Sequence, residues 1–256
     1  MKRRIFIIIV FFFLGCSRRA VTNLTLHAGA GLRDAVAPLV QLFEKENPNI
    51  KINVNYGGSG RLLGQITAGN LDGLFMPGDS FYVEQAIKQG VAVESSKRVI
   101  AYFVPVIFVQ KNNPMKILSL KDFLNNNLRI GIADARSAAI GRRSLEIFKK
   151  NNIPFDKIKK QIAVETGTVN ELGVAISTKT VDAAIIWDAT ARQFSDYGEI
   201  VFIPESKNII SEIPIILLKS TKDKKSAAKF INFCVSKKGS EIFRKKGYTI
   251  NSHYEK

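Results

Sequence analysis

The chain has 256 residues, 46% of them hydrophobic and 23% charged, proportions of a folded globular protein that exclude a disordered or collagen-like chain. Two cysteines and two histidines, His27 and His253, cannot build a disulfide framework or a four-thiolate metal site, and leave little for a zinc enzyme or a Ser-His-Asp hydrolase. The formal charge of +16, from 38 Lys+Arg against 22 Asp+Glu, points to an anionic partner: nucleic acid, an anionic membrane or small anions.

At the start of the chain Lys2, Arg3 and Arg4 precede ten apolar residues, 5–14. That run is too short to cross a bilayer but suits the apolar region of an export signal. It ends in Phe13-Leu14-Gly15-Cys16, which resembles the lipobox of bacterial lipoproteins, with Phe13 where Leu is usual. The segment therefore reads as a lipoprotein signal over 1–15, lipidation of Cys16 and a tether over 16–22; an uncleaved anchor around an incidental cysteine is the alternative. Either way the rest of the chain is expected outside the cytoplasm, tied to the membrane and with no nucleic acid as partner. The remaining basic residues are spread out, and Lys222, Lys224, Lys225, Lys229, Lys237 and Lys238 read as the wet faces of C-terminal helices. Cys234 reads as a small core residue.

Alternating strand and helix signals follow. A strand over 24–27 runs into Ala28-Gly29-Ala30-Gly31, and a helix then places Leu32, Ala35, Leu39, Leu42 and Phe43 on one face, with Pro38 marking its start or a kink. Strict alternation over 51–56 leads through Gly57-Gly58-Ser59-Gly60 into a helix carrying Leu62, Leu63 and Ile66. A short strand over 74–76 precedes a helix over 81–89 that Gly90 closes. The apolar run 99–109 reads as one strand that bends at Pro105. Strands are then expected over 128–133, 161–164 and 182–187, with helices over 144–150 and 169–177. A strand over 213–218 and two helices near 226–236 and 240–245 complete the chain. Repeated β-α units imply an α/β fold with parallel sheets, here two lobes: 23–104 with 207–256, and 105–206. A cleft between such lobes is the expected ligand site.

No Gly-x-x-x-x-Gly-Lys-Ser/Thr pattern occurs, so nothing marks an ATP phosphate loop, and Gly29-Ala30-Gly31 fails as a dinucleotide fingerprint because Asp34 replaces the third glycine. Four strand-to-helix junctions are rich in small or hydroxylic residues: Ala30-Gly31, Gly58-Ser59-Gly60, Ala138-Ala139-Ile140-Gly141, and Thr168-Val169-Asn170-Glu171, the last a capping box. Helix starts present N–H groups without intrahelical partners and a partial positive charge. Converging on one cleft they would form a neutral-donor cage for a small anion; apart, each is only a well-capped turn.

The blocks Leu26-His27-Ala28-Gly29-Ala30-Gly31-Leu32, Tyr56-Gly57-Gly58-Ser59-Gly60-Arg61-Leu62-Leu63-Gly64-Gln65-Ile66 and Asp182-Ala183-Ala184-Ile185-Ile186-Trp187 resemble the molybdate-binding proteins of bacterial ABC importers. That resemblance covers about 24–250. It implies a type II periplasmic-binding-protein fold with two lobes on a two-strand hinge. The implied protein is a monomeric, non-enzymatic receptor that takes molybdate or tungstate, with no cofactor and with metal only inside the oxyanion. Its partners would be an ABC permease and a cytoplasmic ATPase. The ligand positions it implies are Gly31, Ser59, Ile140, Val169 and Trp187. Ser59 keeps the family's hydroxyl; Gly31 and Trp187 stand where Ser and Tyr are usual, and Gly73 replaces an Asp. Arg33, Arg61, Arg142 and Arg143 lie near these junctions, either steering or pairing with the anion or facing solvent. Sulfate or phosphate is the alternative ligand. An extracytoplasmic enzyme using Asp34, Asp72, Asp79 or Asp134 is a further one, though carboxylates there would repel an anion and read better as caps and turns. A surface adhesin with a basic exterior is the third.

Overall fold

The computed structural model describes residues 21–250 apart from residue 126, so the signal, Cys16 and most of the tether lie outside the described residues. Ten strands form two five-stranded sheets. β1 (Thr22–Gly29), β2 (Ile50–Gly57), β3 (Leu74–Met76), β4 (Ala92–Phe103) and β10 (Ser211–Leu218) make the first, in the order β2-β1-β3-β10-β4. β5 (Pro105–Gln110), β6 (Ile130–Ala133), β7 (Ile162–Thr166), β8 (Ala183–Trp187) and β9 (Gly198–Phe202) make the second, in the order β7-β6-β8-β5-β9. In each sheet four strands run in one direction and one runs against them: β10, antiparallel to its neighbours β3 and β4, and β5, antiparallel to its neighbours β8 and β9.

Helices α1 (Arg33–Glu46), α2 (Ser59–Gly69), α3 (Ser80–Lys88), α8 (Lys224–Cys234) and α9 (Lys237–Lys245) belong to the first sheet. α4 (Ala139–Lys150), α5 (Phe155–Lys159), α6 (Val169–Ser177) and α7 (Asp188–Gln193) belong to the second. The result is the two-lobe periplasmic-binding-protein architecture. Its cores are aliphatic and aromatic: Leu26, Leu39, Phe43, Phe75 and Phe230 are buried in the first lobe, Phe108, Phe123, Phe148 and Ile176 in the second. The six lysines of the C-terminal cluster are all exposed and Cys234 is buried, its thiol pushed up by burial.

Several elements depart from the sequence reading. α1 begins at Arg33, after a 3-10 turn at Ala30–Leu32, and runs through Pro38, which is therefore not its start. α4 begins at Ala139 instead of 144: Ala139, Ile140 and Gly141, read as loop, form its buried first turn. The 99–109 run is two strands in different sheets, separated at Val104, because Pro105 has no N–H to continue the ladder.

The chain crosses between sheets at Val104 and again between Phe202 and Ser211, and both crossings are tied down. Asn208 donates its side-chain amide to the Pro105 carbonyl at 2.8 Å. At the first crossing the Val104 N–H donates to Asp188 Oδ1 at 3.2 Å, and the Asp188 N–H returns a bond to the Val104 carbonyl at 2.9 Å. Asp188 is 1% exposed. Burial pushes its carboxyl up to about 6, against the N–H groups of Val104 and Ala189 and the charge of Arg192, which pull it down.

Between about pH 4 and 6 the folded chain thus holds a proton that the unfolded chain, near 3.8, has released. Ionised Asp188 costs stability above pH 6, and the cost vanishes as pH falls below about 4. Asp188→Asn, which keeps an acceptor for Val104, is expected to stabilise the protein by up to ~3 kcal/mol near pH 8 and by nothing near pH 4. Denaturant midpoints of both proteins at the two pH values measure this; an Asn variant less stable than the parent near pH 8 refutes it.

Candidate functional site

Parallel α/β layers leave their ligand space beyond the carboxyl ends of the strands, and here both sheets turn those ends toward one cleft. A small cavity of about 20 Å3 lies between them. The first lobe contributes Gly29, Ala30 and Gly31 after β1, Gly57, Gly58 and Ser59 after β2, Gly78 after β3 and Phe103 at the end of β4. The second contributes Ala138, Ala139 and Ile140 before and within α4, Thr168 and Val169 at the start of α6, and Trp187 at the end of β8. All five positions singled out from the sequence, Gly31, Ser59, Ile140, Val169 and Trp187, meet in this one cavity. Gly78 and Phe103 were not singled out; the only signal for them was their place at strand ends.

Three helices of nine to twelve residues point their N-termini at this space. No backbone acceptor among the described residues takes the N–H of Ser59, Ile140 or Val169, as expected for first-turn amides. Ser59 is 3% exposed, and its Oγ accepts the Gly78 N–H at 3.0 Å. That bond occupies a lone pair and leaves the hydroxyl proton to donate. The α6 start differs slightly from the capping box read from sequence. Thr168 Oγ1 accepts from the Glu171 N–H at 3.4 Å, but the Glu171 carboxylate takes the N–H of Gly167 at 2.8 Å, one residue before the cap.

The cavity wall is aromatic on one side: the Trp187 indole stacks on Phe103 with centroids 4.7 Å apart and 9° between planes. Trp187 is thus both a buried aromatic and a lining residue. Gly31 faces it closely. A Cβ at 31 would stand 2.9 Å from Val169 Cγ1, 3.2 Å from Trp187 Cδ1 and 3.3 Å from Thr190 Oγ1, so the indole and a side chain at 31 compete for one space. Tyr248 Oη donates to the Gly31 carbonyl at 2.6 Å and holds this turn in place.

Among the described residues no charged side chain lines the cavity. Arg33 lies over the Tyr56 ring at 4.1 Å, and exposed Arg61 reaches the Tyr56 carbonyl at 3.4 Å. Arg142 and Arg143 face neither solvent nor the cavity: both are bound to Asp79 and Glu146. Of the four aspartates weighed for catalysis, Asp79 caps α3, Asp134 accepts from the Arg136 N–H and the Ser137 hydroxyl, and Asp34 pairs with Lys246. Asp72 presents its carbonyl to the His27 ring. Gly73 lies away from the cavity at a φ of +103°, where a Cβ would come within 2.0 Å of the Thr25 carbonyl oxygen. An Asp there is excluded by backbone packing and bears on no ligand.

The cleft is closed by main chain. The N–H groups of Gly60 and Arg61 in the first lobe both point at the Ser137 carbonyl of the second, at 2.9 and 3.4 Å. A Cβ on Gly58 would fall 2.3 Å from the Ser137 oxygen and 2.6 Å from that of Gly167; one on Gly60 would fall 1.8 Å from the Arg136 oxygen. Such an enclosure of neutral, unpaired N–H donors at helix starts binds a small anion without a counter-charge.

Residues 24–249 match the family model described as bacterial extracellular solute-binding protein. A putative binding protein of Haemophilus influenzae is 30% identical over 88% of this chain and 90% of its own length. A molybdate-binding protein of Mycobacterium tuberculosis is 23% identical over 88% and 84%. Among solved structures, the periplasmic molybdate-binding protein of Azotobacter vinelandii superposes with a TM-score of 0.75 at 18% identity, over 90% of this chain and all of that one. A sulfate-binding protein of Mycobacterium tuberculosis does so at 0.79 and 15%, over 90% and 88%.

Proposed function

Because this chain belongs to the bacterial extracellular solute-binding proteins, we propose that it captures a tetrahedral oxyanion, molybdate or tungstate, for an ABC importer and hands it to a separate permease and ATPase. The observation that carries this reading is the convergence of the unpaired Ser59, Ile140 and Val169 N–H groups, from helices of both lobes, on one cavity without a charged side chain. A fully ionised dianion needs donors on every side and no acceptor. Protonated phosphate needs an acceptor as well, and no carboxylate among the described residues lines the wall. Ser59 donates its hydroxyl, the three amides and the Trp187 indole N–H complete the cage, and Gly31 lines it through its backbone alone. Ligand that touches both lobes favours the closed form, so capture and closure are one equilibrium. A lipid on Cys16 would hold the receptor at the membrane as a monomer beside its permease. Sulfate is the second reading, favoured by the likeness to the sulfate-binding structure; longer metal–oxygen bonds make molybdate the larger guest. The relatives are named as binding proteins, which supports a receptor over an enzyme.

Thermal unfolding in millimolar molybdate, tungstate, sulfate and phosphate tests the proposal. A ligand at a hundred times its dissociation constant adds about 2.7 kcal/mol to stability, and so several degrees to the midpoint. The expected order places molybdate and tungstate first. No shift with either one overturns the reading, and a larger shift with sulfate transfers it to sulfate.

A further inference from the structure

Asp79 is the N-cap of α3 in the first lobe, 2% exposed, with both carboxylate oxygens fully used. Oδ1 accepts the Phe81 N–H at 2.9 Å, capping α3, and Arg142 Nη2 at 2.7 Å. Oδ2 accepts the Ser211 hydroxyl at 2.7 Å and Arg143 Nη2. Arg143 Nε also donates to Ser211 Oγ at 2.9 Å, and the Arg142 guanidinium lies over the Phe81 ring at 4.2 Å. Asp79, Phe81 and Ser211 belong to the first lobe. Arg142 and Arg143 sit on α4 of the second, two and three residues after Ile140. Glu146, one turn further along α4, takes a bond from each arginine and holds both guanidiniums toward Asp79. The cluster therefore bridges the cleft without touching the cavity.

We propose that Asp79 is a positioning residue: through Arg142 and Arg143 it clasps the start of α4 to the first lobe and so presents the Ile140 amide to the anion. Every bond in the clasp across the cleft is charge-assisted, and the two acids cancel the two arginines, so it adds no net charge beside the ligand. Opening the lobes would separate Asp79 from both arginines. The clasp thus favours the closed form before any ligand arrives, which raises apparent affinity by raising the competent fraction. This role rests on the capture reading for its effect on affinity, but not for its effect on shape.

The test compares the intact mature protein with Asp79→Asn, which keeps an oxygen for the Phe81 N–H but removes the charge and replaces the Oδ2 acceptor of Ser211 and Arg143 with a donor. Small-angle scattering of the ligand-free proteins is expected to give a larger radius of gyration for the variant. Molybdate titration is expected to give a dissociation constant roughly tenfold or more weaker, chiefly through faster release. Arg143→Gln is measured alongside, both as a check should Asp79→Asn fold poorly and to complete a double-mutant cycle. If the residues act through each other, the double variant binds no worse than the weaker single one. A purely structural Asp79 would lower the melting temperature and leave radius and affinity unchanged, which overturns the proposal. A ligand-free parent as expanded as the variant overturns it too. Should the parent bind none of the four anions, the capture reading fails, and scattering alone still decides whether the clasp exists.

Discussion

Gly60→Ala is expected to leave the protein folded, yet to weaken oxyanion binding about a hundredfold. Gly60 lies in the first turn of α2, where alanine is the better helix former by up to about 1 kcal/mol. Within its own lobe the nearest atom to the new methyl is Tyr82 Cε1, at 3.3 Å. The obstacle comes from the other lobe: on closure the Arg136 carbonyl oxygen would lie 1.8 Å from the new Cβ, so the loop from Asp134 to Ala138 must retreat. Retreat also stretches the 2.9 Å bond from the Gly60 N–H to the Ser137 carbonyl. Overpacking costs about 1–3 kcal/mol and the lost bond about 1. Together these are about 3 kcal/mol, or roughly two decades in affinity. Calorimetric titration with thermal unfolding of the ligand-free protein reads both quantities. Affinity within threefold of the parent would mean that the closed arrangement is not the binding form.

Ser59→Ala is expected to lower affinity and stability together. The hydroxyl has two employments: its oxygen takes the buried Gly78 N–H at 3.0 Å, and its proton is free for the ligand. A bond to a charged ligand is worth about 1.5–3 kcal/mol, so the dissociation constant should rise roughly ten- to hundredfold. Leaving the Gly78 N–H without its acceptor costs about 1–3 kcal/mol of folding stability besides. A Ser59→Ala protein that binds within twofold of the parent would remove Ser59 from the site.

The arginines show how a one-dimensional reading goes astray. Arg142 and Arg143 adjoin a junction that does line the cavity, which made them candidates for the anion or for solvent. Their partners, Asp79 and Ser211, lie more than sixty residues away in sequence and on another lobe. Nothing local marks Asp79 as more than a helix cap, and that it also is. Gly73 makes the converse case: it departs from the family pattern, and its surroundings show a glycine required by the Thr25 carbonyl.

Alternation and helical periodicity carried the element order, the α/β class and the two runs of β-α units, because burial of one face imprints a period on the chain whatever the partner. The same local chemistry marked the junctions at residues 31, 59, 140 and 169, since helix starts and tight turns select small and hydroxylic residues in place; Trp187 came only from the family resemblance. Periodicity did not show that α4 starts at Ala139, because an Ala-Ala-Ile-Gly turn has too few polar positions to display a face. Only the folded chain decided that five turns from two lobes share one cavity, that the indole at 187 fills space left by a bare Gly31, and that Asp79 reaches across to α4. Those are distances between residues far apart in sequence, set by how two sheets pack about the crossings at Val104 and after Phe202, and no local pattern encodes them.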